Sequence, residues 1–401
     1  MTWLSIVGIG EDGLTGLGDA ARAAIAAADV VFGGARHLDL AASVISGDVR
    51  PWLSPFSSSV DAIIAERGRK VCVLASGDPF HYGVGATLVR RIDASQMVVF
   101  PHPSSFSLAA ARLGWPLQDV ISLSLHGRPL DLIRPHLHTG TCILALTSDE
   151  AAPAAIARLL TDAGFGISIM TVLEALGGPS ERIRSHVAMN FALEDISPLN
   201  ICAISVVALP QARVLPMTSG ISDSLFEHDG QLTKREVRAL TLSALAPRRG
   251  ETLWDIGAGS GSIAIEWMLA DPSLRAIAVE ANADRAVRIT RNAASFGVPD
   301  LQLVVGAAPA ALDGLEPPHA IFVGGGGSEP GVMEAAIAAL RPGGRLVANA
   351  VTLEMEAVLL AQYKSLGGGL TRIDIGRADM IGSMTGWRPA MPITQWVWTK
   401  P

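Results

Sequence analysis

The chain has 401 residues, 49% of them hydrophobic, and a formal net charge of −7, which fits two or three domains with sizeable cores. An acidic balance with few Lys among 31 basic residues excludes a broad nucleic-acid footprint. No apolar run is long enough to span a membrane and the start reads as a strand rather than a signal peptide, so a cytoplasmic protein with no membrane and no nucleic-acid partner is expected.

The first strand, in WLSIVGIGEDG, ends in Gly8, Gly10 and Gly13 and spells the dinucleotide fingerprint G-x-G-x-x-G. The spelling lacks its context. A helix must begin at the third Gly so that its amino terminus faces a pyrophosphate, but Gly16 and Gly18 push the helix start to about Asp19. The next strand, DVVFGG, ends in glycines rather than in an acid for a ribose, and Asp29 lies at its wrong end. A nicotinamide or flavin site is rejected here.

Further strands are expected at 70–78, 97–102, 120–127, 141–148, 167–176, 182–187 and 200–209, with helices at 83–92, 105–113 and 151–163 between them. Cys72, Cys142 and Cys202 fall inside these apolar strands without a C-x-x-C pair, so they read as core residues, and no metal site is expected. The turns ASGDPFHYG, PHPSSF and SLHGR follow strand ends and are expected to line one edge of a parallel sheet, where ligands bind. His81, a lone His beside them, reads as structural. Pro210, Pro216 and small polar residues in LPQARVLPMTSGIS (209–222) mark a linker, placed at 211–224 and followed by a new helix, between domains 1–210 and 225–401.

The second half alternates strand and helix through seven strands, the last pair lacking a long helix between them. Its glycine run, DIGAGSGS, places Asp255 before Gly257, Ala258, Gly259, Ser260 and Gly261. Ser262 breaks the dinucleotide fingerprint, and a carboxylate at 255 would repel a pyrophosphate while suiting a cationic ligand or the loop's own N–H groups. The next strand ends in Glu280, an acid able to accept both hydroxyls of a ribose. An adenosine without phosphate but with a positive charge fits, and S-adenosylmethionine (SAM) is such a ligand. The plain alternative is that both acids cap helices. After the fourth strand, Gly324 to Gly327 offer only room or backbone N–H groups, and room suits a bulky planar substrate.

Residues 225–401 resemble the seven-stranded, Rossmann-like SAM-dependent methyltransferases. With LTKREVR at 232–238, GAAPAAL at 306–312 and the closing PITQWVW, they look like the family acting on carbon 15 in cobalamin synthesis. That resemblance implies SAM contacts at Thr233, Gly257 to Gly261, Glu280, Gly306 and Ala307, although Thr233 is equally suited to cap the following helix. Residues 1–210 resemble the tetrapyrrole methylase family, an unrelated α/β fold. Its Gly-Asp-Pro turn is kept at Gly77, Asp78 and Pro79. Its G-x-G-P-G loop, which faces substrate in the family, carries Glu11 and Asp12 in place of Pro-Gly. The implied SAM contacts here are Ser76, Gly77, Asp78, Ser104, Ser105, Leu146 and Ala175.

The fusion resembles the bifunctional, decarboxylating precorrin methyltransferases of aerobic cobalamin biosynthesis. That implies a polycarboxylate tetrapyrrole substrate, SAM as cofactor, a homo-oligomer, carbon-5 methylation by the first domain, and carbon-15 methylation with loss of CO₂ from the ring C acetate by the second. Arg residues are natural carboxylate clamps, and Arg377 and Arg388 lie in a late segment able to reach over the second site. No catalytic residue is singled out. Three other readings are weighed: an RNA methyltransferase, a non-catalytic SAM sensor and an NAD-dependent enzyme.

Overall fold

The computed structural model describes residues 2–401. The chain divides into two units. One runs to Leu130 and resumes at His136–Arg213, and the other comprises Val214–Pro401 with the short stretch Asp131–Pro135.

In the first unit, β1 (Leu4–Ile9), β2 (Val30–Gly33), β3 (Asp48–Pro51), β4 (Val71–Ser76) and β5 (Met97–Phe100) form a parallel sheet in the order β3-β2-β4-β1-β5. The central strands are covered on both faces, which is why they read as unbroken apolar runs. Ile6 and Val73 face one core and Val7 and Leu74 the other. The edge strand β3 escapes a sequence reading because all four residues of DVRP are exposed. The helix Asp19–Ala26 starts where the glycines place it, and Ser105–Leu113 matches its expected bounds. The helix expected over 83–92 is only Val84–Leu88, because Gly83, Gly85 and β-branched Val84 and Val89 weaken that stretch.

A second sheet holds β6 (Val120–Ser124), β7 (Cys142–Leu146), β8 (Ile169–Glu174), β9 (Arg182–Val187) and β10 (Asn200–Ser205) in the order β6-β7-β10-β8-β9. Only β6 and β7 run parallel, and β10 is antiparallel to both neighbours. The expectation of a single parallel edge is therefore corrected: the ligand-side turns come from two sheets. An apolar strand buried on both faces carries no mark of its neighbours' direction. Burial pushes the thiols of Cys72 and Cys202 up to about 12, as fits core residues.

In the second unit, β11 (Thr252–Ile256), β12 (Arg275–Glu280), β13 (Gln302–Val305), β14 (Ala320–Val323), β15 (Arg345–Ala350) and β16 (Gly369–Ile373) precede a ribbon of β17 (Gly376–Ile381) and β18 (Met384–Pro389). The chain closes with β19 (Ile393–Thr399). The seven-stranded sheet has the order β13-β12-β11-β14-β15-β19-β16, with β19 antiparallel between β15 and β16. Strand order reverses between β11 and β14, and a crevice opens there outside the carboxyl ends of parallel strands. Cores lie on both faces, one around Trp267, Phe296 and Leu245, the other around Trp254, Trp396 and Met333. At the end of the expected linker the chain makes a single turn at Asp223–Leu225, and the helix expected after it begins only at Arg235. No helix is long and apolar enough to cross a membrane, among the described residues.

Candidate functional site

The second unit holds a cavity of ≈ 800 Å³ at that crevice. Its geometry begins with glycines. Gly257, Gly259 and Gly261 have φ of 71°, 61° and 76°, the left-handed region closed to most side chains. A Cβ on Gly257 would lie 2.4 Å from the Gly325 carbonyl oxygen, so the β11 and β14 loops meet backbone to backbone. Close packing also explains Gly324 and Gly327, whose Cβ atoms would meet the Phe322 ring at 2.7 Å and the Met355 methyl at 2.5 Å. Gly324, Gly325 and Gly326 line the cavity.

Thr233, Gly257, Ala258 and Gly259 line the cavity, as do Glu280, Gly306 and Ala307. Glu280, at the end of β12, accepts from the Gly259 N–H at 2.8 Å and the Asn282 N–H at 2.9 Å, one bond per oxygen. Each oxygen keeps lone-pair capacity for a further donor. Asp255, Ser260 and Gly261 do not reach the cavity. Asp255 shares its face of β11 with Leu253, which sits in the core under the helix Ser262–Ala270. There Oδ2 accepts from the Ala264 N–H at 3.1 Å while Oδ1 has no partner. Burial, with the Glu280 charge adding to it, pushes the Asp255 carboxyl up to about 7 against that hydrogen bond. Capping explains Asp255. Ser260 is buried with its carbonyl accepting from Asn292, and Gly261 packs against Ile289.

Thr233 is not a helix cap, since the N-cap of Arg235–Leu245 is Lys234 and no side-chain cap bond forms. Instead the segment carrying Thr233 is tied down from below. Arg238, fully buried, donates to Glu266, Asp223 (3.1 Å) and the carbonyls of Thr233 and Ile221, with the Phe226 ring centroid 4.8 Å away. Glu266 in turn accepts from the N–H groups of Gly220 and Ile221. A second polar net lies at the ends of β15 and β19. Asn349, which lines the cavity, donates to Thr241 at 3.0 Å and accepts from Gln395 at 3.0 Å. Sequence reading missed Asn349 and Gln395, although each is a lone amide in an apolar strand, the one signal that could have found them. Arg377 lines the cavity and pairs with Glu236, whereas Arg388 pairs with Asp379 on the exposed ribbon.

The first unit holds a cavity of ≈ 390 Å³ lined by Ser76, Gly77, Ser104, Ser105, Leu146 and Ala175. Gly8 permits its architecture, since a Cβ there would lie 1.9 Å from the Gly77 carbonyl oxygen. A Cβ on Gly10 would crowd His102 at 2.6 Å. Gly8 and Gly10 of the fingerprint thus serve strand-to-loop packing. Ser104 caps Ser105–Leu113 by accepting from the Ser107 N–H at 3.2 Å. Ala175 and Tyr82 have φ of 45° and 56°, backbone strain at the cavity wall. His81, expected to be structural, lines the cavity and stacks on Phe106, with centroids 4.6 Å apart. Asp78 misses the cavity because its carboxylate accepts from the Phe80 N–H at 2.8 Å and shapes the turn.

Beside these residues stands a polar group that sequence reading saw only in part. Glu11 pairs with Arg36. Arg36 also meets His37 Nε2 at 2.8 Å and donates to the Ser76 hydroxyl at 3.2 Å. Burial and the Arg36 charge push His37 down to about 4, so it is neutral at ordinary pH. No cluster of three or more metal-ligating side chains occurs among the described residues.

The model of the tetrapyrrole (corrin/porphyrin) methylases matches residues 4–189, and that of the precorrin methyltransferase domain matches residues 224–400. A precorrin-6Y C(5,15)-methyltransferase (decarboxylating) from Sinorhizobium sp is 64% identical, covering 99% of this chain and 96% of its own. Two shorter relatives each cover less than half of the chain. The probable cobalt-precorrin-6B C(15)-methyltransferase (decarboxylating) of Pyrobaculum calidifontis is 38% identical over 44% of this chain and 95% of its own. The cobalt-precorrin-7 C(5)-methyltransferase of Salmonella typhimurium is 32% identical over 45% of this chain and 88% of its own.

Proposed function

The chain belongs to the precorrin-6Y C(5,15)-methyltransferase (decarboxylating) family of C-methyltransferases, and from that premise we propose that it methylates a precorrin at carbons 5 and 15 with SAM as donor. It also removes CO₂ from the ring C acetate. The first unit acts at carbon 5, and the second acts at carbon 15 and on the acetate. The observation that carries this division is that each unit has its own cavity, built around strand ends of its own sheets. Two single-activity relatives, each nearly covered by less than half of the chain, support it.

SAM supplies an electrophilic methyl group, and the chain supplies position. Glu280 has acceptor capacity for a ribose, and the Gly257–Gly259 backbone lets a ligand approach closely. At Ser76, Gly77 and Ser104 the first unit offers small residues around a comparable space. The meso carbons of a reduced tetrapyrrole are already nucleophilic, so alignment can lower most of the barrier. In the decarboxylation the bond to the carboxylate carbon breaks, its electron pair enters the conjugated ring, and a proton is taken up. The apolar wall of Val237, Val279, Phe322 and Ile373 favours that loss of charge. Arg377 and Arg285, at the same cavity, already have Glu236 and Asp229 as partners and are suited to hold other carboxylates at the rim.

The reading includes a cytoplasmic homo-oligomer with no nucleic-acid partner, for which light scattering on the intact chain gives the mass. The test of function is incubation of the whole chain with SAM and precorrin-6Y. A product with two added methyl groups and one carboxyl fewer supports it. Absence of methyl transfer contradicts it.

A further inference from the structure

Among the described residues lining the first unit's cavity, Arg36 is the one fixed cation and Glu11 the one acid, and they are paired with each other. The pairing is built into the loop. The backbone of Glu11 lies against Gly178, where an added Cβ would sit 2.6 Å from the Glu11 Cβ, so the root of Glu11 is fixed. Its neighbour Asp12 turns away to His102, with Oδ2 3.2 Å from Nε2. Arg36 is rooted just after β2, in the short helix Ala35–Ala41, and its other polar neighbours, His37 and Ser76, carry no negative charge. An Arg fork selects carboxylates, and here one protein carboxylate takes one of its terminal nitrogens while the other meets His37 and Ser76.

We propose that Arg36 is the receiver of a ligand carboxylate in the first cavity, and that Glu11 is its built-in stand-in, displaced when that ligand enters. The inference rests on the two-site methyltransferase reading, in which both ligands of this cavity carry carboxylates: the tetrapyrrole on its side chains and SAM on its amino-acid end. Glu11 then has a task for which Pro-Gly would have no group. It pairs with Arg36 before a ligand enters, and it competes with every ligand that would use the fork. Arg36 and Glu11 are positioning residues and take no part in bond making.

The test uses the intact chain and three variants, Glu11→Gln, Arg36→Met and the double variant, with KM for SAM and for the tetrapyrrole measured for the carbon-5 transfer. The carbon-15 transfer by the same molecules is the internal control for folding. Removing the stand-in charge lowers one of the two KM values about threefold to tenfold, with kcat little changed. Arg36→Met raises that same KM at least about tenfold. In the double variant the gain from Glu11→Gln vanishes. The KM that moves identifies the source of the carboxylate. The proposal is overturned if Glu11→Gln leaves both values unchanged or raises them, or if Arg36→Met moves neither. Should the wild-type chain transfer no methyl group, the functional reading fails separately. Equilibrium titration of the four proteins with SAM and with the tetrapyrrole then decides the clamp by the same ordering.

Discussion

Replacing Asp255 with Asn removes a fully buried carboxyl that has one backbone donor on Oδ2 and no partner on Oδ1. Burial raises its folded pKa from 3.8 to about 7, so between those values the folded state binds a proton that the unfolded chain has lost. The stability this group contributes is full below about pH 4 and is lost as pH rises toward 7. The whole loss is about 4 kcal/mol, since each pKa unit corresponds to about 1.4 kcal/mol. Asn has the same shape, accepts the Ala264 N–H, and carries no such pH dependence. Its amide N–H₂ would replace the unpartnered Oδ1, at a cost of about 1–3 kcal/mol that is the same at every pH. Relative to wild type the variant therefore gains most of about 4 kcal/mol between about pH 4.5 and about pH 8. Pulse proteolysis in urea, with peptides of the second unit read by mass spectrometry, measures that difference. A stability difference identical at the two pH values would refute the reasoning and make Asp255 an ordinary ionised carboxylate.

Arg238→Met leaves Glu266 buried with only backbone donors, and costs about 3–5 kcal/mol of second-unit stability in urea. The same change releases the segment carrying Thr233, so SAM affinity of the second site measured by calorimetry falls as well. Glu280→Gln keeps the size of the side chain but halves its acceptor capacity. SAM affinity there drops about tenfold or more, while the melting temperature of the first unit is unmoved. Gly8→Ala forces a Cβ into the Gly77 carbonyl, and destabilises the first unit by about 3 kcal/mol in chemical denaturation.

Much of this was legible in the chain itself, and the misses have physical causes. Strands covered on both faces, such as those bearing Ile6 or Leu253, announce themselves as apolar runs. The same uniformity hid that β10 runs against its neighbours and that the first unit's strands form two sheets. The ribbon β17–β18 has a fully exposed first strand, so no burial pattern marked it beyond its position over a late segment. At the site, glycine and acid spacing located Glu280 and Gly257 at a cavity. Asp255 and Ser260, close by in the same motif, face the core instead, because a one-residue step along a strand or tight loop reverses direction. The Arg238 and Asn349 networks join residues as far apart as 46 and 154 positions, and no local pattern encodes such meetings.

The most direct test of two sites with separate tasks blocks one cavity at a time in the intact chain. Ala307→Trp fills the second cavity and Ser76→Trp the first, and the products formed from SAM and precorrin-6Y are weighed. With two separate sites, the Ala307→Trp chain never releases CO₂, and the Ser76→Trp chain never adds the carbon-5 methyl group. CO₂ release by the Ala307→Trp chain, or a doubly methylated product from either variant, would contradict it.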